Sequence, residues 1–381
     1  MSLPNRCSVF VVLLAAVVAW PTRAAVIRRV AGPGDTVPGV SGATFQTADH
    51  PEFDRQGNIR FLGRISSPEI TWANSEGFWR QNAADGRIEL LTRITAPLPG
   101  GVDGETIKSW AAFGNGLALV TLTGPTVDAN RDLALVDLRS ETASTLVREA
   151  QPVPGMKPGT RFESMIDLGQ SDSTESNVVF SAQLVGPGIT VENDSGLWAH
   201  NSKGLRQVVR EGDLPPGGSS PFYEFTAKNV DSLGRAAFIG HFYGVDPKAR
   251  LFENGLYAER HGEIEELLRT SAQAPGLASS IQINRIDYPR MNAGGHLTVH
   301  VELSGAGVNA DNDQAVFVDR GNGVELLLRE GEPVPGLPDL IWNGSEGYSG
   351  TRADALVSVR LALARRGSKN VPLPRICVLA T

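Results

Sequence analysis

The 381-residue sequence has little cysteine, no excess of basic residues and no long apolar run after its N-terminal segment. Its net charge of −7 lacks the basic surface that attracts nucleic acids and anionic lipids, so we expect neither as a partner. Of the two cysteines, only Cys377 lies outside the predicted export signal, which excludes a disulfide within the mature chain. A hydrophobic core must therefore hold the fold, and Cys377 in "RICVLA" is interpreted as a buried strand residue.

The N-terminal segment has the layout of a secretory signal. Arg6 precedes an apolar run of 14 residues, 7–20, which is too short for a typical membrane span. Thr22 and Ala24 place small residues at the −3 and −1 positions of a cleavage site after Ala24. We therefore predict a signal peptide over 1–24 and a single mature domain over 25–381 with no membrane span. This predicts a location in the periplasm or outside the cell.

Glycine and proline are abundant by contrast, with 42 and 24 residues, and they recur in a pattern. Phrases such as "LLREGEPVPG" and "LVREAQPVPG" each end in Pro-Gly, and their regular spacing along the chain indicates a repeat architecture. Each pair predicts a tight turn, because Pro presets φ and Gly accepts the positive φ that other residues resist. The pairs begin at Pro38, Pro99, Pro154, Pro216, Pro275 and Pro335.

Each repeat unit contains segments typical of four β-strands. The first strand follows the Pro-Gly pair, and the fourth leads into the next pair. The second strand is a short run rich in β-branched and aromatic types. These second strands are predicted over 59–65, 117–123, 178–184, 236–242, 297–303 and 355–361. The third strand carries an apolar residue in a fixed place, namely Trp79, Leu135, Trp198, Tyr257, Phe317 and Cys377.

Four-stranded units repeated around an axis are typical of β-propeller blades. We therefore predict an all-β fold, a six-bladed β-propeller of four-stranded blades. The last unit ends after its third strand, in "RICVLAT". We predict that 25–31, the first segment of the mature chain, supplies the missing outer strand of that blade and closes the ring.

Two recurring phrases carry a resemblance to a known family. "DSLGRAAF", "NAGGHLTV" and "DRQGNIRF" look like an Asn-x-x-Gly-x-x-Ala-Phe repeat, and the phrase typified by "REGDLPPG" recurs at a set distance from it. Together they resemble the bacterial choice-of-anchor tandem-repeat proteins over nearly all of the mature chain. The second unit departs from the pattern at Ala112 and Asn115, and the sixth departs at Gly350 and Ala353. The resemblance implies export and repeats, and it implies no defined activity.

Motifs of established chemistry do not fit the predicted strands. The glycines of "GNG" at 114–116 lie between strands rather than in a strand-to-helix phosphate loop, and "GGSSP" does not fit the serine elbow of hydrolases. His296 and His300 share a strand face but lie roughly 13 Å apart, too far for one metal ion. The Asn and Asp residues of 307–314 are interpreted as an Asx turn rather than a calcium loop, because similar residues recur in other units.

The axis of the predicted ring is the remaining place for a site, because inner strands line it. Charged residues on these strands leave three alternatives: a salt-bridged channel, an axial calcium ion, and a catalytic or sugar-binding pocket. An aromatic patch including Trp72, Phe222, Tyr243 or Trp342 would favour recognition of a glycan or protein. The predicted ligand-binding residues are Lys108, Asp167, Glu224, Arg285 and Asp287.

Two functions follow from these residues. The first is an exported, non-catalytic recognition or scaffold propeller that binds a protein or glycan partner and needs no cofactor. The alternative is a calcium-assisted hydrolase or lyase acting on a sugar, lactone or ester through Asp167, Glu224 and Asp287. The sequence leaves open whether the protein is an enzyme.

Overall fold

The computed structural model describes residues 29–54, 56–114, 116–139, 142–171, 177–243, 252–335, 337–348, 357–365 and 376–380. The predicted signal peptide and residues 25–28 lie outside the described residues. The described chain is all-β, with a single short 3-10 helix at Trp72–Asn74 and no α-helix. None of the helices in this part of the chain is long and apolar enough to span a membrane.

The first three sheets are antiparallel, and each has four strands. Sheet 1 contains β1 (Thr44–Phe53), β2 (Ile59–Ser66), β3 (Glu76–Gln81) and β4 (Ile88–Arg93). Sheet 2 contains β5 (Thr106–Gly114), β6 (Leu117–Thr123), β7 (Leu133–Asp137) and β8 (Ser144–Arg148). Sheet 3 contains β9 (Arg161–Leu168), β11 (Val178–Val185), β12 (Ser195–Asn201) and β13 (Gly204–Arg210); the short β10 (Gln170–Ser171) lies between β9 and β11 in the chain.

Sheets 4 and 5 repeat this order, sheet 4 gains one short strand, and sheet 6 begins with a short strand beside its inner strand. The short strand β10 pairs in parallel with the first strand of sheet 4. Sheet 4 contains β14 (Phe222–Val230), β15 (Ala236–Tyr243), β16 (Phe252–Arg260) and β17 (Glu263–Arg269). Sheet 5 contains β18 (Ile281–Met291), β19 (Leu297–Gly305), β20 (Gln314–Asp319) and β21 (Val324–Arg329). Sheet 6 contains β22 (Pro333–Val334), β23 (Leu337–Tyr348), β24 (Val357–Arg365) and β25 (Ile376–Ala380).

The Pro-Gly pairs connect each sheet to the next, as predicted. Five of the six glycines have φ between 68° and 82°, in the left-handed region where glycine is tolerated best. These are Gly39, Gly100, Gly155, Gly217 and Gly276. Gly336 lies outside the described residues. The turn interpretation of the repeated phrase is confirmed at the five described positions.

In sheets 1 to 5, the core contains a repeated apolar pair between the second and third strands. Phe61 on β2 lies opposite Trp79 on β3, and Phe180 on β11 lies opposite Trp198 on β12. The ring of Trp79 packs edge-on against Phe45 of the inner strand, with centroids 5.0 Å apart. A Cβ atom at Gly63 would come within 2.7 Å of the Trp79 ring, so the close packing requires glycine there. The predicted third-strand residues of sheets 1 to 5 are all fully buried: Trp79, Leu135, Trp198, Tyr257 and Phe317.

Consecutive sheets pack face to face. Hydrophobic clusters join sheet 1 to sheet 2, sheet 2 to sheet 3, sheet 3 to sheet 4, and sheet 4 to sheet 5. Ion pairs also cross these boundaries. Arg206 of sheet 3 binds Glu259 of sheet 4 at 2.6 Å, and Arg260 of sheet 4 binds Asp319 of sheet 5 at 2.8 Å. Four-stranded antiparallel sheets packed in sequence order have the construction of β-propeller blades.

Closure of the ring by 25–31 stays a prediction. In the described part of this segment, 29–31, no residue is in a strand, and Val30 and Ala31 pack against the core of sheet 1. In the described part of sheet 6, β22 lies beside the inner strand β23, and β25 forms the other edge. This order agrees with an outer strand that is missing from the last unit itself.

Two of the four aromatic residues proposed for a surface patch belong to the core. Phe222 is 2% exposed and Trp342 is fully buried, because the side chain of each inner-strand residue packs into the hydrophobic core. Trp72 and Tyr243 are exposed, at 82% and 50%. Trp72 lies in the short helix between β2 and β3 of sheet 1, and Tyr243 ends β15 of sheet 4, so the two residues do not belong to neighbouring sheets.

Candidate functional site

Each described inner strand of sheets 1 to 5 is interrupted by a bulge at the same place. In β14, for example, the pairing with β15 skips from Thr226 to Asn229, and Ala227 has φ of 48°. A bulge bends a strand and turns side chains away from their regular alternation. The corresponding breaks lie between Asp49 and Glu52, Trp110 and Ala112, Met165 and Asp167, and Asp287 and Arg290.

The bulged regions of sheets 3, 4 and 5 enclose a cavity of about 400 Å³. It lies where three consecutive inner strands, β9, β14 and β18, come together. Its volume lies in the range of small-molecule binding sites, on the order of 300–1,000 Å³. The lining residues are Asp167, Leu168, Ala227, Lys228, Asn229, Pro289 and Arg290.

The ammonium group of Lys228 is held in the wall of this cavity. Its Nζ lies 2.6 Å from Oδ1 of Asp167, on the inner strand of the preceding sheet. The Lys228 side chain is 4% exposed, whereas that of Asp167 is 56% exposed. The hydroxyl of Ser181 also donates to Asp167 Oδ1, at 2.9 Å. The carboxylate is therefore fixed through Oδ1, and Oδ2 has no hydrogen-bond partner among the described residues.

Asn229 joins the inner strands of sheets 4 and 5. Its Nδ2 donates to the carbonyl oxygen of Ala227 at 2.9 Å and to that of Pro289 at 3.2 Å. Because both partners are carbonyl oxygens, the amide nitrogen must face them and the orientation of the amide is determined. The side chain is nearly fully buried. Its Oδ1 is left without a donor within the described part of the chain.

Arg290 contributes the second positive charge of the cavity. It is partly buried, one residue after Pro289 on β18. In the described structure its guanidinium forms neither an ion pair nor a hydrogen bond. The charges of Lys228 and Asp167 offset each other, so the cavity carries one net positive charge at Arg290.

The five predicted ligand-binding residues lie on inner strands, but the structure does not bring them together. Asp167 alone lines the cavity. Arg285 and Asp287 pair with each other on β18, with Nε 2.7 Å from Oδ2, and Arg285 also lies 3.0 Å from Glu302. Lys108 and Glu224 are exposed on β5 and β14.

Two of the three carboxylates predicted to serve a calcium-assisted enzyme are paired with basic side chains. Asp167 is bound by Lys228, and Asp287 is bound by Arg285. Asp287 also lies 3.8 Å from the buried His300, whose pKa is lowered by burial. Glu224 lies beside His241, where its charge opposes the lowering of the His241 pKa by burial. Within the described ranges, no three His, Cys, Asp or Glu side chains are grouped so that they could hold a metal ion.

The loops between second and third strands are fixed by Asx turns, as predicted. Within 307–314, Asn309 Oδ1 accepts the backbone N–H of Asp311, two residues later, at 2.9 Å. In the equivalent loop of sheet 2, Asp128 Oδ1 accepts the backbone N–H of Asn130 at 2.9 Å. The Asx-turn interpretation is confirmed in these two loops.

Of the charged and amide residues that line the cavity, the sequence predicted only Asp167 as a ligand-binding residue, and it did not single out Lys228, Asn229 or Arg290. A signal for the latter two exists in the repeat. Asn229 pairs with Ala237, and Arg290 pairs with Thr298. Each partner comes one residue before the second-strand residue that faces the buried third-strand residue. Aligning the repeats on that residue would have placed both at one level of the fold. The alignment would not have shown which way they point, because the bulges change that.

Comparison with solved structures found distant likenesses. One is to the β-propeller domain of the Trilobed protease from Pyrococcus furiosus, with 9% identity, a TM-score of 0.40, and coverage of 87% of this chain and 83% of that one. Another is to the Penicillium chrysogenum α-L-arabinanase complexed with arabinobiose, with 14% identity, a TM-score of 0.31, and coverage of 82% and 87%. A polysaccharide lyase, PL25 ulvan lyase, has 11% identity and a TM-score of 0.30, with coverage of 86% and 77%. All three TM-scores are below 0.5, so these likenesses assign no activity or ligand.

Comparison of the sequence with curated proteins found no match. A family model matches residues 12–344, which is most of the chain, and its description is "Family of unknown function (DUF7453)". The chain therefore belongs to the DUF7453 family, whose function is unknown.

Proposed function

We propose that the protein is an exported β-propeller that recognises a glycan or protein partner and does not catalyse a reaction. The observation that supports this proposal is the cavity where three inner strands meet. It combines a fixed Lys228–Asp167 pair with polar atoms that have no partner in the described structure. Export rests on the predicted signal peptide, and a six-bladed closed ring rests on the repeat count.

The arrangement of the cavity suits binding. Asp167 is held from two sides, by Lys228 and by Ser181, and Asn229 is held by two carbonyl groups. Groups fixed before a ligand arrives lose little conformational entropy when it binds, which favours affinity and specificity. The partly buried Arg290 adds a charged donor at the same place. These features describe a preorganised polar pocket.

The proposal is tested by applying the mature chain, 25–381, to arrays of glycans and peptides. The test variant is Arg290→Trp, whose bulky side chain should block the cavity for charged and uncharged ligands alike. Circular dichroism and thermal melting check that the variant is folded. We expect a set of related array members to bind the wild type and to lose most of their signal with the variant. Binding that survives Arg290→Trp, or no binding at all, would contradict the proposal.

The calcium-assisted hydrolase or lyase is separated by the same protein preparation. Thermal melting with EDTA and then with added calcium measures whether an ion stabilises the native state. The recognition proposal expects no shift in melting temperature. A large calcium-dependent shift, followed by turnover of a sugar, lactone or ester, would replace it with the enzymatic function.

A further inference from the structure

We infer that the ligand of this cavity is a hydroxylated organic carboxylate about the size of a sugar acid, with its carboxylate bound by Arg290. This inference rests on the proposed function, because it names the ligand class of the same cavity. It is carried by the charge of the cavity, by the acceptor atoms that its own hydrogen bonds leave over, and by its volume.

The net positive charge of the cavity favours a ligand with one negative charge. Lys228 and Asp167 already form a close pair at 2.6 Å, so neither charge needs a ligand to balance it. Arg290 is partly buried and has no carboxylate partner among the described residues. A partly buried guanidinium is stabilised best by a planar anion that accepts two parallel hydrogen bonds, which is the geometry of a carboxylate. A doubly charged phosphate would leave one negative charge uncompensated in a confined space.

The hydrogen-bond acceptors of the cavity favour a ligand with hydroxyl groups. Asn229 donates its two amide hydrogens to the carbonyl oxygens of Ala227 and Pro289, which leaves Oδ1 as an acceptor. Asp167 binds Lys228 and Ser181 through Oδ1, which leaves Oδ2 as a second acceptor. Neither oxygen has a donor among the described residues, and two ligand hydroxyl groups could donate to them. A ligand that offers hydroxyl donors together with one carboxylate fits this set.

The size of the cavity agrees with this class. A volume of about 400 Å³ holds a single sugar ring with a few waters, and Leu168, Ala227 and Pro289 supply apolar wall for its carbon atoms. The two acceptors and the guanidinium belong to Asp167, Asn229 and Arg290 on three neighbouring inner strands, so one small ligand could contact all three. Glucuronate and glucose form a matched pair of probes, because they differ only in a carboxylate replacing a hydroxymethyl group.

The inference is tested by isothermal titration of the mature protein with sodium glucuronate, glucose and glucose 6-sulfate at constant ionic strength. Glucuronate is expected to bind at least about tenfold more tightly than glucose, since a charge-assisted bidentate contact is present only with the acid. Arg290→Met is expected to abolish this preference. Arg290→Lys is expected to keep part of it, because an ammonium retains the charge without the fork. The matched control is Arg87→Met, which removes an exposed charge on sheet 1 and should leave binding unchanged.

Each outcome decides the question. Equal binding of glucuronate and glucose, or an unchanged preference in Arg290→Met, overturns the inference. Glucose 6-sulfate binding as tightly as glucuronate overturns the choice of a carboxylate. If neither sugar binds in the millimolar range while array members bind and are blocked by Arg290→Trp, this inference falls and the recognition function stands. If the arrays also show no binding, both fall.

Discussion

Buried carboxyl groups at the ends of the fourth strands should make the protein less stable as the pH rises. Glu149 and Glu330 follow the recurring arginine of the repeat phrase and are 4% and 6% exposed. Burial raises the pKa of each from 4.5 to about 7. A neighbouring aspartate adds to the effect in both cases: Asp132 beside Glu149, and Asp313 beside Glu330. Because the two groups belong to different sheets and share no neighbour, their effects on stability should add.

The sign follows from the protonation of each state. Below about pH 4.5 these carboxyl groups are protonated in both states, so they contribute no difference. Between about pH 4.5 and pH 7 the unfolded chain releases protons that the folded protein keeps, which favours unfolding. A shift of about 2.5 pKa units corresponds to about 3 kcal/mol of lost stability for each group above pH 7.

The perturbation is replacement by glutamine, which imitates the protonated acid. Glu149 Oε2 accepts the backbone N–H groups of Asp132 and Leu133 at 2.8 and 3.1 Å, and a glutamine oxygen can accept the same bonds. The double variant Glu149→Gln, Glu330→Gln should therefore lie within about 1 kcal/mol of the wild type at pH 4.5, where the unfolded carboxyl groups are half ionised. At pH 8 it should be more stable by several kcal/mol. Urea unfolding at pH 4.5, 6 and 8 measures the free energies.

A control with the opposite sign is available in sheet 2. Two side-chain hydrogen bonds from Arg148, each 2.6 Å, lower the pKa of Glu105 to about 2. That carboxylate contributes stability above about pH 4.5 and loses it as the pH falls toward 2. Glu105→Gln should therefore destabilise the protein at pH 8. If the double variant showed the same stability-versus-pH curve as the wild type, the reasoning from burial would be refuted.

Three further predictions concern the backbone, a buried ion pair and the closure of the ring. Thr95 has φ of 72° where the repeat has glycine at Gly212, so Thr95→Gly should stabilise the protein by about 1 kcal/mol in urea unfolding; a loss would contradict the strain. Asp319→Ala leaves the buried Arg260 unpaired and should cost about 3–5 kcal/mol, and a loss below about 1 kcal/mol would show that the pair is dispensable. Deleting 25–31 should lower the melting temperature by exposing a sheet edge, and an unchanged melting temperature would show that the closure prediction is wrong.

The all-β class and the strands could be predicted because their signals are local. A Pro-Gly turn, a run of β-branched residues and an apolar third-strand residue each recur once in every repeat unit. Neighbouring residues determine each of these signals, so they do not depend on distant parts of the chain. Trp79 and Trp198 are buried in the sheets to which the pattern assigned them. The Asx turns were predictable for the same reason.

The candidate site depended on tertiary structure. Side chains alternate along a regular strand, and a bulge changes which of them face the axis. The bulge in β14 brings Lys228 and Asn229 into the cavity, although the sequence favoured Glu224 on the same strand. Arg290 joins them from the next sheet, a full repeat unit after Asn229 in the chain. The sequence by itself determined the repeated strands and turns, and only the packing of sheets 3, 4 and 5 decided which polar groups meet, because that meeting depends on contacts between distant residues.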